Sequence, residues 1–225
     1  MNLLYGPVPV DADERDSADD SLGNGYEIKK RRYGMNVVAF NGSARKDGNT
    51  AILVNTVFKE LKKAGIKTGL VQMAGKKIHG CIACGKCFEN KDRRCAVKGD
   101  ILNDCIEKML DADGIILASP TYFADVSASM KALIERAGFV ARANDDMFRY
   151  KAGAAVVAVR RAGAIHAFDT LNHFFFISQM VVPGSSYWNV GIGLAPGDVK
   201  ADREGLATMK TLGANMAWLL EKTCS

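Results

Sequence analysis

The apolar run Met35–Phe40 breaks directly into Asn-Gly-Ser-Ala-Arg-Lys-Asp-Gly-Asn-Thr at positions 41–50, and this loop opens a segment, Ala51–Leu61, whose apolar residues recur at helical spacing. A buried strand that turns through glycines into a helix leaves first-turn N–H groups without intrahelical partners and sets the positive end of the helix dipole beside the strand's carboxyl end. That is a cradle for a phosphate. Gly42 and Gly48 permit tight turns, Ser43, Asn49 and Thr50 offer short hydrogen-bonding side chains, and Arg45 offers charge. The loop has neither the Lys-Ser/Thr ending of a P-loop nor the three-glycine spacing of a dinucleotide fingerprint, which disfavours ATP, GTP and a Rossmann-bound NAD as its ligand. The competing reading is an ordinary capped turn, since Asn and Ser favour helix caps.

The segments that follow repeat the strand and helix alternation. Asn49–Ala64 reads as a helix ended by Gly65, and Ile66–Met73 as a second strand. Asp100 is placed to cap a helix through Ala112, ahead of the apolar strand Asp113–Ser119. Val126–Val140 is again helical in period, Ala154–Val159 a fourth strand, Ala164–Gln179 a helix, Met180–Ser185 a fifth strand and Lys200–Lys222 a closing helix. Strands alternating with helices predict a doubly wound α/β domain with a five-stranded parallel sheet, covering residues 35–225. Residues 1–34 show neither period. They divide into an acidic part and the basic tetrad Lys29-Lys30-Arg31-Arg32, and read as an N-terminal extension, either an arm held against a neighbouring subunit or a solvated tail.

Composition excludes more than it identifies. A net charge of +5 with no basic stripe gives no reason to expect nucleic acid, and the longest apolar stretch, Phe174–Val182, is interrupted and far short of the ~20 residues of a membrane span. No apolar signal segment stands in residues 1–34, so a cytoplasmic location is expected. In that compartment the six cysteines are metal ligands or redox groups sooner than disulfides.

Two stretches carry chemistry beyond the phosphate loop. Ser-Pro-Thr-Tyr-Phe-Ala at 119–124 follows the third strand, and in an open parallel sheet of order 2-1-3-4-5 the ends of strands one and three flank the ligand crevice. The second is an insertion over residues 74–99, longer than the ~12–15 residues at which structureless loops become suspicious unless they work. It holds Cys81, Cys84 and Cys87 at three-residue spacing, then Cys95. Thiolates so spaced can point at one centre, as in a cubane iron–sulfur site. A structural zinc site, a redox dithiol within either Cys-x-x-Cys and cysteines that never receive a metal compete with that reading. His79 stands beside the cysteines, whereas His166 and His173 read as surface or core residues, and Cys105 as core.

Gly-Ser-Ala-Arg-Lys-Asp-Gly-Asn-Thr after strand one, with Ser-Pro-Thr-Tyr-Phe-Ala-Asp-Val-Ser-Ala-Ser-Met-Lys-Ala-Leu-Ile-Glu-Arg after strand three, resembles the NADPH-dependent FMN reductase family of flavodoxin-like proteins from Met35 to the C-terminus. The resemblance implies that Ser43, Arg45, Asn49 and Thr50 hold the FMN phosphate and that Pro120, Thr121, Tyr122 and Phe123 lie along the isoalloxazine ring, Tyr122 as a stacking ring and Trp188 as a weaker candidate. A third loop, after strand four, usually brings glycines to the flavin. Here it reads Arg160-Arg161-Ala-Gly163-Ala164, poorer in glycine, and Arg161 and Gly163 are its implied contacts. The cysteine stretch, set between strand two and the next helix, resembles the iron–sulfur flavoproteins. That likeness implies Cys81, Cys84, Cys87 and Cys95 as ligands of a [4Fe–4S] cluster near the FMN, in a homodimer or homotetramer.

The function expected on this basis is an FMN-dependent oxidoreductase with an iron–sulfur relay. It would take electrons from NAD(P)H or a ferredoxin-like protein and deliver them to a small-molecule acceptor. The alternatives are a cluster-free NAD(P)H-dependent FMN or quinone reductase, in which Arg160 and Arg161 bind a cofactor phosphate, and a non-catalytic electron carrier for ferredoxin-like partners.

Overall fold

The computed structural model describes residues 34–224; the extension predicted over residues 1–34 lies, but for its last residue, outside them. Five parallel strands form one sheet in the order β2-β1-β3-β4-β5. They are β1 Asn36–Asn41, β2 Lys67–Gln72, β3 Gly114–Pro120, β4 Ala152–Val159 and β5 Val190–Ile192. Between them run α1 Asn49–Lys63, the short α2 Lys86–Asn90, α3 Leu102–Asp111, α4 Ala128–Ala143 and α5 Ala164–Ile177, and α6 Arg203–Thr223 closes the described chain after a 3-10 turn at Asp198–Ala201. The doubly wound architecture expected from the strand and helix alternation, and the flavodoxin-like strand order implied by the resemblance, are the ones observed.

Successive side chains of a strand point to opposite faces, and the central strands are apolar on both. Val38, Phe40, Ile115, Leu117, Ala155 and Val157 meet α3, α4 and α5, while Val37, Ala39, Ile116, Ala118, Ala154 and Val156 meet α1 and α6. Each buried Val, Ile, Leu or Phe among them contributes about 1.5–3 kcal/mol. The α1–α6 packing depends on Gly213, where an added Cβ would come within 2.7 Å of the Val57 carbonyl oxygen.

The fifth strand differs from expectation. Met180–Ser185 makes a single bridge, Val181 to Ala152, and the ladder resumes only at Val190–Ile192. Pro183 has no N–H to give a ladder and Gly184 weakens a strand, so the apolar run over 180–185 leaves the sheet as a loop. The predicted cap at Asp100 also shifts. Ile101 occupies the cap position of α3, and the Asp100 carboxylate accepts from the backbone N–H groups of Leu102 and His79.

Candidate functional site

At the carboxyl ends of β1, β3 and β4 lies a cavity of about 160 Å³. Ser43, Arg45, Asn49 and Thr50 wall one side, and Pro120, Thr121 and Tyr122 wall another. The end of β4 with Arg160 completes it, together with an element unrecognised in the sequence, the Gly193–Leu194 turn after β5. Phe123, Arg161 and Gly163 are not among its lining residues.

The phosphate loop is built by short internal bonds. Asn41 Oδ1 accepts from the Ser43 N–H at 3.0 Å, Ser43 Oγ accepts from the Arg45 N–H at 3.1 Å, and Gln72 Nε2 donates to the Ser43 carbonyl at 3.1 Å. The loop then enters α1 at Gly48, with no side-chain cap and no acidic residue in the first turn. A helix start with no cap of its own keeps its N–H groups and dipole for an external anion. The capped-turn alternative fails here, because the cap position falls to Gly48, which has no side chain, and Asn49, the first helical residue, is engaged elsewhere. Its Oδ1 accepts from Gly197 and Val199 N–H at 2.9 and 3.3 Å, and its Nδ2 donates to the Ala195 carbonyl at 3.0 Å. Arg45 Nη1 donates to the Leu194 carbonyl at 3.0 Å. The phosphate loop and the 193–199 turn are thus bound to each other. The run of glycines at 191, 193 and 197 is the sequence signal that marks this turn, since a Cβ at Gly193 would meet Asn49 Nδ2 at 2.8 Å.

After β3, Ser119 Oγ accepts from the Ser127 N–H and donates to the Pro120 carbonyl, and the Thr121 N–H donates to the Ala158 carbonyl. Tyr122 and Asp125 exchange both backbone bonds, which leaves Phe123 and Ala124 as the tip, at φ of 49° and 64°. Gly163 packs beneath this tip, where a Cβ would stand 3.2 Å from the Ala124 Cα. Its task in the structure is to admit the turn.

The residues present fit the FMN implied by the sequence. The uncapped helix start with Ser43 and Arg45 suits a phosphate, and the Thr121 hydroxyl, buried without a partner in the cavity wall, suits a polar edge of the ligand.

The cysteine loop does not bear out its expectation. Cys81, Cys84, Cys87 and Cys95 border one depression of about 30 Å³. Two of the sulfurs accept hydrogen bonds, Cys95 Sγ from Arg136 Nη2 at 3.3 Å and Cys81 Sγ from the Ala83 N–H at 3.4 Å. Burial pushes the Cys87 thiol up from its ordinary value. Among the described residues no group of three or more His, Cys, Asp or Glu side chains is placed to hold a metal ion. The [4Fe–4S] cluster, its four-cysteine ligand set and the zinc alternative are corrected accordingly. The loop is held by Arg136 of α4, a buried side chain paired with the equally buried Asp100 and donating to the His79 and Val97 carbonyls at 3.2 and 3.1 Å.

Fold and cavity together define a flavodoxin-like, FMN-binding oxidoreductase. Residues 35–195 match the model of the NADPH-dependent FMN reductase family. The chain belongs to that family, and within it stands with proteins named iron–sulfur flavoproteins. It is 36 % identical over 195 residues to one from Methanocaldococcus jannaschii, covering 81 % of this chain and 96 % of that protein. It is 31 % identical over 194 residues to one from Archaeoglobus fulgidus, covering 83 % and 97 %. The fold is shared with RosB, solved with 8-demethyl-8-formylriboflavin-5'-phosphate, at a TM-score of 0.65 and 19 % identity over 85 % of this chain and 82 % of RosB. It is shared as well with an NAD(P)H:quinone oxidoreductase of Methanothermobacter marburgensis, at 0.60 and 11 % identity over 82 % and 98 %. Among the described residues no helix is long and apolar enough to cross a membrane.

Proposed function

We propose that this flavin-dependent oxidoreductase is a cluster-free NAD(P)H-dependent FMN or quinone reductase. The observation that carries the reading is the uncapped start of α1 facing Arg45, Ser43 and the unpartnered Thr121 hydroxyl across one cavity. FMN, when bound, supplies the hydride acceptor and the electrons for the second substrate. The chain's own residues bind and orient. Ser43, Thr50, Arg45 and the α1 N–H groups hold the phosphate, and Pro120, Thr121 and Tyr122 set the ring plane. Asn49 fixes the opposite wall, and Arg160, at the rim, offers its charge to a nicotinamide cofactor's phosphate. Phe123, fully exposed at the tip of the 122–125 turn, is a side chain that pairing into a homodimer or homotetramer would cover. All six cysteines are free, as a cytoplasmic protein keeps them.

The test is anaerobic purification, flavin identification, and NAD(P)H oxidation followed with and without a quinone. Stoichiometric FMN with quinone-dependent NAD(P)H oxidation is expected. A protein without FMN refutes the reading, and FMN reduced by a ferredoxin but not by NAD(P)H moves the function to an electron carrier.

A further inference from the structure

On the reductase reading above, a quinone takes up a hydride from the flavin and one proton, and that proton needs a donor. The cavity wall supplies none suited to neutral pH. Arg45, Arg160 and Tyr122 are its titratable side chains among the described residues. Arginine does not give up its proton in proteins, and a phenol is a weak acid near pH 7. Imidazole is the side chain that exchanges a proton there. The chain has three histidines. His79 lies in the cysteine loop, where its carbonyl accepts from Arg136, and His173 lies two turns further along α5 than His166.

His166 stands in the first turn of α5, whose cap residue Gly163 comes three positions after Arg160 of the cavity wall. Gly163 packs against that wall, where a Cβ would stand 3.6 Å from Thr121 Cγ2 and 3.2 Å from the Ala124 Cα. Residues three apart share a helix face, so His166 follows Gly163 onto the side that meets the 121–125 turn. There its Nε2 comes to 3.7 Å from Asp125 Oδ2. Asp125 is itself fixed. Its backbone exchanges both bonds with Tyr122, a residue of the cavity wall, and its Oδ1 accepts from the Val126 N–H at 2.7 Å. A carboxylate at one ring nitrogen orients an imidazole and leaves the other nitrogen for a substrate. The His166 Nδ1 has no hydrogen-bond partner among the described residues, and the side chain is 69 % exposed, open both to an entering acceptor and to the water that would reload it.

We propose that His166, held by Asp125, protonates the quinone reduced at this site. A hydride from the flavin reaches one quinone oxygen, and the imidazolium passes its Nδ1 proton to the other oxygen, which has become anionic. Quinone, hydride and proton thus balance as hydroquinone, and the neutral imidazole takes a new proton from water. The test uses the FMN-loaded full chain, reduced photochemically without a nicotinamide and reoxidised anaerobically by one of two acceptors. Tetramethyl-1,4-benzoquinone needs the proton and, with every ring carbon substituted, spares the exposed thiols, whereas ferricyanide takes electrons alone. His166→Gln is expected to slow reoxidation by the quinone at least about tenfold and reoxidation by ferricyanide less than about twofold. Asp125→Asn should slow the quinone step by a smaller factor, and added imidazole should restore it in His166→Gln. Binding is read apart from turnover. In the oxidised protein the quinone should move the His166 imidazole nitrogen-15 resonances, identified by their loss in His166→Gln, and leave those of His79 and His173 in place. Equal slowing with both acceptors, or His166 resonances indifferent to the quinone, would overturn the proposal. Quinone reoxidation as fast in His166→Gln as in the native chain overturns this inference alone, whereas a native FMN-loaded chain that the quinone cannot reoxidise overturns the reductase reading with it.

Discussion

The side-chain oxygen of Asn49 accepts the backbone N–H of Gly197 at 2.9 Å, across 148 residues of chain. With the Val199 and Ala195 contacts, this one amide holds the turn after β5 against the first turn of α1. The phosphate loop is therefore shaped from behind as well as from its own sequence.

Asn49→Ala leaves two N–H groups and a carbonyl without partners and is expected to cost about 2–4 kcal/mol in urea unfolding of the flavin-free protein. FMN affinity should fall about 10- to 100-fold with it. Asn49→Asp keeps the acceptor, so it should recover much of the stability. It also places a negative charge at the phosphate, and should bind FMN no better than the alanine variant. Flavin titration and unfolding of both variants separate the two effects. Equal loss of both quantities in both variants would contradict this role.

How much of this was legible depends on whether local chemistry or tertiary pairing decides it. The phosphate loop, the 119–124 stretch and the alternation of strands and helices were readable because glycines, caps and apolar period act within a few residues. Met180–Ser185 reads as a strand because its run is apolar, while Pro183 and the distant register of Val190 with Val157 decide the pairing. Asn49 was assigned to the phosphate because residue type gives no sign of a partner 148 residues away. The cysteines depart from expectation for the same reason. Spacing says that thiols can converge, but the Arg136 and Asp100 pair, supplied by other elements, decides where the loop rests.

That pair gives the second prediction. Both side chains are buried, and removing one member leaves the other's charge uncompensated, a loss of about 3–5 kcal/mol for Asp100→Ala or Arg136→Ala. The double change Asp100→Asn with Arg136→Met should recover part of it. Burial alone would raise the Asp100 carboxyl, but Arg136 and the His79 and Leu102 N–H groups hold it below its ordinary value. The unfolded chain therefore binds the proton first as pH falls. The stability from this carboxylate is complete above an ordinary carboxylate pKa of about 3.9 and is lost as pH drops through the lower folded value. Urea midpoints between pH 2 and 5 should fall more steeply in the native chain than in Asp100→Asn. Parallel curves would show that Asp100 contributes nothing there.

Phe123 and Ala124 both take positive φ between Tyr122 and Asp125, the φ signature of a type I′ turn, which ordinarily carries Asn-Gly. Left-handed backbone costs a non-glycine residue about 1–2 kcal/mol. Phe123→Asn with Ala124→Gly should thus raise thermal stability by about 2–6 °C. Gly163→Ala should lower it, since its own φ is +84° and its Cβ would meet Ala124. Turnover distinguishes strain that serves the site from strain that is incidental. Lower quinone reduction in the relaxed turn, at unchanged FMN content, is the expected result.

Cys105 and the loop cysteines should respond oppositely to a thiol reagent. Cys105 lies on the buried face of α3, and burial pushes its thiol up to about 12, so the thiolate is scarce and out of reach at pH 8. Cys81 and Cys84 are exposed, and Cys87, Cys95 and Cys224 half-buried. Titration of the native FMN-loaded protein with a chromogenic disulfide should modify Cys81 and Cys84 first and the half-buried thiols more slowly. Cys105 should be modified only when denaturant opens the α3 face, with peptide mapping to assign each step. Silence of the four loop cysteines until unfolding would show that they are engaged, against the placement described here. Early reaction of Cys105 would mean that α3 opens far below the global unfolding free energy.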